Sequence, residues 1–168
     1  TSTVGRGLLV WANQVLASKG EMSKWWESLA KHTITVGKGW SETYGAYLKG
    51  EADMVLSYTT SPLYHQWYEN DNKNVAAIFE EGHLMQVELA AILKSSQQKP
   101  LAQQFLRFLH EPESQKIIAK SNIMKPVVAG EIDPLLTSLP KIKVLETLQP
   151  NADLVRQWLA NWQKAVSK

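Results

Sequence analysis

Residues 50–67 read "GEADMVLSYTTSPLYHQW". "ADMVLSYT", residues 52–59, reads as a short strand, with the apolar run Met54 to Leu56 as its buried part. Three hydroxyls follow it, Thr59, Thr60 and Ser61, and Pro62 stands directly behind them. Proline at a first helical position costs no hydrogen bond, because that N–H would lack a partner anyway. The stretch therefore reads as strand, polar turn, helix. Tyr58, Tyr64, Trp67 and Tyr68 surround the turn.

The same alternation extends in both directions. "VGRGLLVWANQVLASKG" carries apolar residues at helical spacing, with hydroxyls of "TST" before it to cap and Gly20 to end it. "EMSKWWESLAKH" predicts a second helix, "TITVG" a β-branched strand, and "GWSETYGAYLKGEA" a helix between glycines. After a polar loop, "VAAIF" and "HLMQVELAAIL" read as strands. Two helical pieces meet near Pro112, a proline-rich loop follows, and "NADLVRQWLANWQKAV" closes the sequence as an amphipathic helix. Strands alternating with helices predict an α/β fold.

Composition narrows the function classes. The chain has 168 residues, 44% of them hydrophobic and 20% charged, which suits a packed globular core. A formal net charge of +2 gives no electrostatic case for nucleic acid or an anionic membrane. Cysteine is absent, so disulfides and thiolate metal sites are excluded. His32, His65, His83 and His110 lack zinc-ligand spacing, and Ser57 and Ser61 lie outside any G-x-S-x-G elbow. Glu80 and Glu81 read as a solvated loop. No catalytic or metal constellation emerges, and no cofactor is expected.

Two hydroxyl-bearing helix starts remain. Backbone N–H groups at such a start lack partners and lie at the positive end of the helix dipole. The turn at Thr59–Ser61 and the start at Ser2 and Thr3 could each hold an anion, phosphate above all. Capping is the commoner role for either. Trp40 follows "GKG" at a strand end, outside any apolar stripe, and with Tyr58 and Tyr64 it could form an aromatic box for a flat or cationic ring. A packing role for Trp40 is equally open at this point.

The blocks "TST", "TVGKGWSETYGAYLKGEADMVLSYTTSPLYH", "EEGHLMQVELAA", "MKPV" and "WQKAVSK" resemble the thiamine-binding periplasmic proteins of bacterial ABC importers. The likeness runs along all 168 residues. It implies a two-lobed, type II periplasmic-binding-protein fold. Residues 1–82 would form the ligand-binding second lobe. Residues 83–135 would pack on the first lobe, and 136–168 would return to the second. The chain opens without an initiator methionine, and it is expected to be the C-terminal portion of a longer protein, lacking most of the first lobe.

By the family pattern, Ser2, Thr3, Tyr58, Thr59, Thr60 and Ser61 meet the phosphate or hydroxyethyl end of thiamine, thiamine monophosphate or thiamine diphosphate. Trp40 and Tyr64 line the ring-binding part. An ABC transporter membrane permease is the implied partner and the periplasm the implied compartment. The family often carries a tryptophan before its M-x-P-V segment, where this chain has Ile123. Competing expectations are a receptor of the same fold for iron or a polyamine and, less favoured, a thiaminase-like enzyme, which would need the cysteine this sequence lacks. A portion of such a protein should expose apolar surface and self-associate.

Overall fold

A computed structural model describes residues 2–146 and 148–167. The chain separates into two compact units. Unit 1 comprises Thr1–Tyr58, Ile78–Met85 and Ile142–Lys168, and unit 2 comprises Thr59–Ala77 and Gln86–Lys141.

Unit 1 is built on helices α1 (Thr3–Leu16), α2 (Met22–His32), α3 (Trp40–Leu48) and α8 (Ala152–Val166). Ser2 caps α1 by accepting a hydrogen bond from the Gly5 amide at 3.2 Å. Asn151 caps α8 in the same way, accepting from Leu154 at 2.9 Å. A 3₁₀ turn over Ala17–Lys19 ends at Gly20, whose φ of 68° is costly for any side chain with a Cβ. The apolar stripes of α1, α2 and α8 meet in a core of Leu9, Ala12, Leu16, Trp26 and Ala165. Trp11, Trp25, Trp158 and Trp162 pack around it, in the core-packing role that their helical spacing implies. Burying an indole such as Trp26 removes roughly 200 Å² from water, a gross gain of about 5 kcal/mol.

The segment 78–85 is fastened to this core by polar bonds. The Trp11 indole N–H donates to the Gly82 carbonyl at 2.8 Å, and Trp11 lies 5.6 Å from Phe79. His83 forms a parallel β-bridge with Val144, through His83 N–H to the Lys143 carbonyl and Leu145 N–H to the His83 carbonyl. Gly82 has φ of 110°, and a Cβ there would sit 2.8 Å from the Lys143 carbonyl oxygen. Only glycine fits.

Unit 2 contains α4 (Pro62–Tyr64), a π-helical turn over His65–Glu69, α5 (Lys99–Leu109), α6 (Pro112–Asn122) and the short α7 (Pro134–Thr137). Leu63, Ala119 and Leu136 form its buried core, flanked by Trp67, Ile123, Leu135 and Leu139. Gln115 is buried and stitches the unit internally. It donates to the Leu109 carbonyl at 2.7 Å and accepts from the Val127 amide at 2.9 Å. α6 ends at Ile123 with φ of 55°, a left-handed position rarely tolerated by a β-branched residue.

The helices follow the sequence; the strands do not. Among the described residues the His83–Val144 bridge is isolated, and the runs expected as strands at 33–37, 52–59, 75–79 and 83–93 have no ladder. Their apolar side chains are correspondingly exposed: Ile34, Val36, Met54, Val87 and Leu93, with Val75 at 81% and Leu89 at 89%. A β-strand exists only against a partner backbone, and among the described residues these runs form no ladder beyond the single bridge at His83. α5 is similar on the helical side, since Leu101, Phe105 and Phe108 of its apolar stripe are exposed.

Candidate functional site

The eight candidate residues fall in both units. Ser2, Thr3, Trp40 and Tyr58 belong to unit 1, and Thr59, Thr60, Ser61 and Tyr64 to unit 2.

In unit 1, the extended backbone of Ser2 brings its hydroxyl over the first turn of α1, where it serves as the cap. Thr3 is the first helical residue and is exposed. α3 touches α1. Trp40 opens α3 and is half-buried. Its indole N–H donates to the Ser57 hydroxyl oxygen at 2.9 Å. Its ring stacks on Tyr44 with centroids 4.8 Å apart and planes at 30°. Tyr47 continues the row, 5.7 Å from Tyr44. Tyr58, half-buried, follows Ser57 directly. Trp40 is thus held at its edge and on one face, and is half-buried instead of lying in a core. Glu42, in the first turn of α3, accepts from the Lys38 amide at 3.2 Å. This carboxylate occupies part of the donor array in the glycine-bounded loop.

In unit 2, Thr60 is buried and its carbonyl accepts from the Leu63 amide at 3.0 Å. The Ser61 carbonyl accepts from Tyr64 at 3.1 Å. Ser61 already has helical angles, and its side chain makes no capping bond to α4. Regular α-helical geometry lasts only Pro62–Tyr64 before the π turn. So short a helix develops little macrodipole, and any anion held here would rest on hydroxyls and individual amides.

His65 is buried at 1% exposure, and its Nδ1 lies 2.6 Å from the Glu69 carboxylate. Tyr64, 44% exposed, meets the His65 ring edge-on at 5.4 Å and lies 5.3 Å from Tyr68. Trp67 donates to Asp133 at 3.4 Å and lines a pocket of about 270 Å³ with Gln115, Lys116, Ala119 and Leu136. None of the eight candidates lines this pocket. Lys116 bridges Glu113 and Glu131, which hold its ammonium pKa above the ordinary lysine value. No group of three or more metal-ligating side chains occurs among the described residues. Among them, too, no helix is long and apolar enough to cross a membrane.

Tyr44 and Ser57 escaped the sequence reading. Tyr44 had a signal, since it lies four residues beyond Trp40 on one helix. Ser57 had none, because only the folded chain brings it to Trp40.

The family model for bacterial extracellular solute-binding proteins matches residues 1–116. The chain belongs to that family. Among solute-binding relatives, a thiamine-binding periplasmic protein of Haemophilus influenzae is 49% identical over the whole chain. That of Escherichia coli K12 is 45% identical, again over the whole chain. A solved structure of a periplasmic thiamin binding protein superposes with a TM-score of 0.88 at 44% identity, covering 99% of this chain and 52% of that one. The chain spans about half the length of the curated relatives it matches, 51% of each of these two.

Proposed function

We propose that this chain is part of the solute-binding component of an ABC importer that takes up thiamine or its phosphates, working in the periplasm and delivering ligand to a membrane permease. The observation that carries the reading is identity of 45–49% along the entire chain to two solute-binding proteins named for thiamine. The role is non-catalytic, with thiamine as cargo. The residues assigned to the ligand ring are Trp40 and Tyr64, and those assigned to its hydroxyethyl or phosphate end are Ser2, Thr3 and Tyr58–Ser61.

The lobe assignment belongs to the same proposal. In the longer protein, residues 1–82 and 136–168 are assigned to the second lobe and 83–135 to the first, although here 59–77 shares a compact unit with 86–141, Leu63 packing on Ala119. The exposed runs at 33–37, 52–59, 75–79 and 83–93 then join sheets of the α/β, type II kind. Their β-branched and apolar content, left uncovered here, supports that reading.

Isothermal titration calorimetry of the full-length protein with thiamine, thiamine monophosphate and thiamine diphosphate tests it. Binding of at least one form is expected, and no heat at high micromolar ligand defeats the proposal. An iron or polyamine titration that succeeds where thiamine fails would reassign the cargo. Trp40→Ala is expected to weaken thiamine binding about five-fold, the equivalent of ~1 kcal/mol of stacking. Unchanged affinity would remove Trp40 from the site.

A further inference from the structure

We infer that Ser57 is a positioning residue: its hydroxyl fixes the Trp40 ring in the orientation in which a flat heterocycle can stack on it. The inference rests on the thiamine-binding reading and assigns a role to a residue outside the eight candidates.

An indole has a single donor, its ring N–H, and a half-buried one needs an acceptor. Ser57 supplies it at 2.9 Å, reaching across 17 residues of sequence from the run before Tyr58 to the first residue of α3. Tyr44 covers one face of the ring at 4.8 Å. These two contacts restrain different motions. The stack resists tilting of the plane, and the hydrogen bond resists rotation within it. The remaining face is the one on which a ligand ring would lie. Without the Ser57 oxygen, the indole N–H must find water or another acceptor, and the ring loses its in-plane anchor. Preorganised aromatic platforms bind better because less freedom is lost when the ligand arrives.

The experiment uses Ser57→Ala and Ser57→Thr in the full-length protein, with thiamine as the probe. The indole ¹H–¹⁵N resonance of Trp40 is assigned by its loss in Trp40→Phe. Ser57→Ala is expected to move that resonance upfield and to weaken thiamine binding roughly three- to ten-fold, the worth of one hydrogen bond. Ser57→Thr keeps the hydroxyl and should hold affinity within about two-fold of wild type. If Ser57→Ala does not fold, Ser57→Val against Ser57→Thr compares equal shapes with and without the hydroxyl. An unmoved indole resonance, or a moved resonance with unchanged affinity, overturns the inference. Wild-type protein that binds no thiamine defeats the thiamine reading instead, and the indole resonance still decides whether Ser57 holds the ring.

Discussion

Leu63→Ala probes the link between the hydroxyl turn and the core of unit 2. Leu63 is 2% exposed and packs with Ala119 and Leu136, while its amide donates to the Thr60 carbonyl at 3.0 Å. The substitution removes three carbon atoms, a transfer loss of about 2.4 kcal/mol at ~0.8 kcal/mol each. A cavity term of a few tenths to one kcal/mol adds to this, because Trp67 and Ile123 can close only part of the gap. The expected loss is about 3 kcal/mol. With a urea m-value of about 2 kcal/mol/M, the unfolding midpoint of unit 2 should fall by roughly 1.5 M with m unchanged. Circular dichroism at increasing urea reads this directly. Leu63→Met, nearly conserving volume, should cost less than about 1.5 kcal/mol. A midpoint shift below about 0.3 M for Leu63→Ala would refute the reasoning, because it would mean Leu63 is not held in a packed core.

Three further outcomes are expected. Gly82→Ala forces a Cβ against the Lys143 carbonyl at 2.8 Å and a φ of 110° onto alanine, so it should cost about 2 kcal/mol or more, read by thermal unfolding; an unshifted Tm would mean the bridge to Val144 is not held tightly. Ser2→Ala removes the cap of α1 and should cost about 1 kcal/mol, whereas Ser2→Asp should retain most of that stability; equal Tm values for the two variants would contradict capping by Ser2. The 168-residue chain, with Val75, Leu89 and Leu93 exposed, should self-associate at micromolar concentration in multi-angle light scattering, and a clean monomer would show that its apolar runs are covered in solution.

Local signals were enough for the long helices. α1, α2, α5, α6 and α8 each carry an apolar stripe, and three of them have an end signal close by: Ser2 and Asn151 as caps of α1 and α8, Pro112 at the start of α6, and Gly20 just past α1 and its 3₁₀ turn. Such information lies within one or two turns of the backbone, so the sequence alone determined it. It also drew attention to Trp40 and to the hydroxyl turn, as residues out of step with any apolar pattern. What tertiary structure decided was every feature that needs a distant partner. The strand-like runs at 33–37 and 83–93 have the composition of strands, yet a ladder needs a second backbone, and no composition provides one. The π turn at His65–Glu69 interrupts what had read as an ordinary helix start. Gly82 owes its necessity to a carbonyl 61 residues away, at Lys143. Sequence left the surroundings of Trp40 open; the fold leaves it half-buried, with its N–H on the Ser57 hydroxyl and one face on the Tyr44 ring, both met only in the folded chain. Hydrogen bonds and ring contacts depend on distances in space, and a sequence states only distances along the chain.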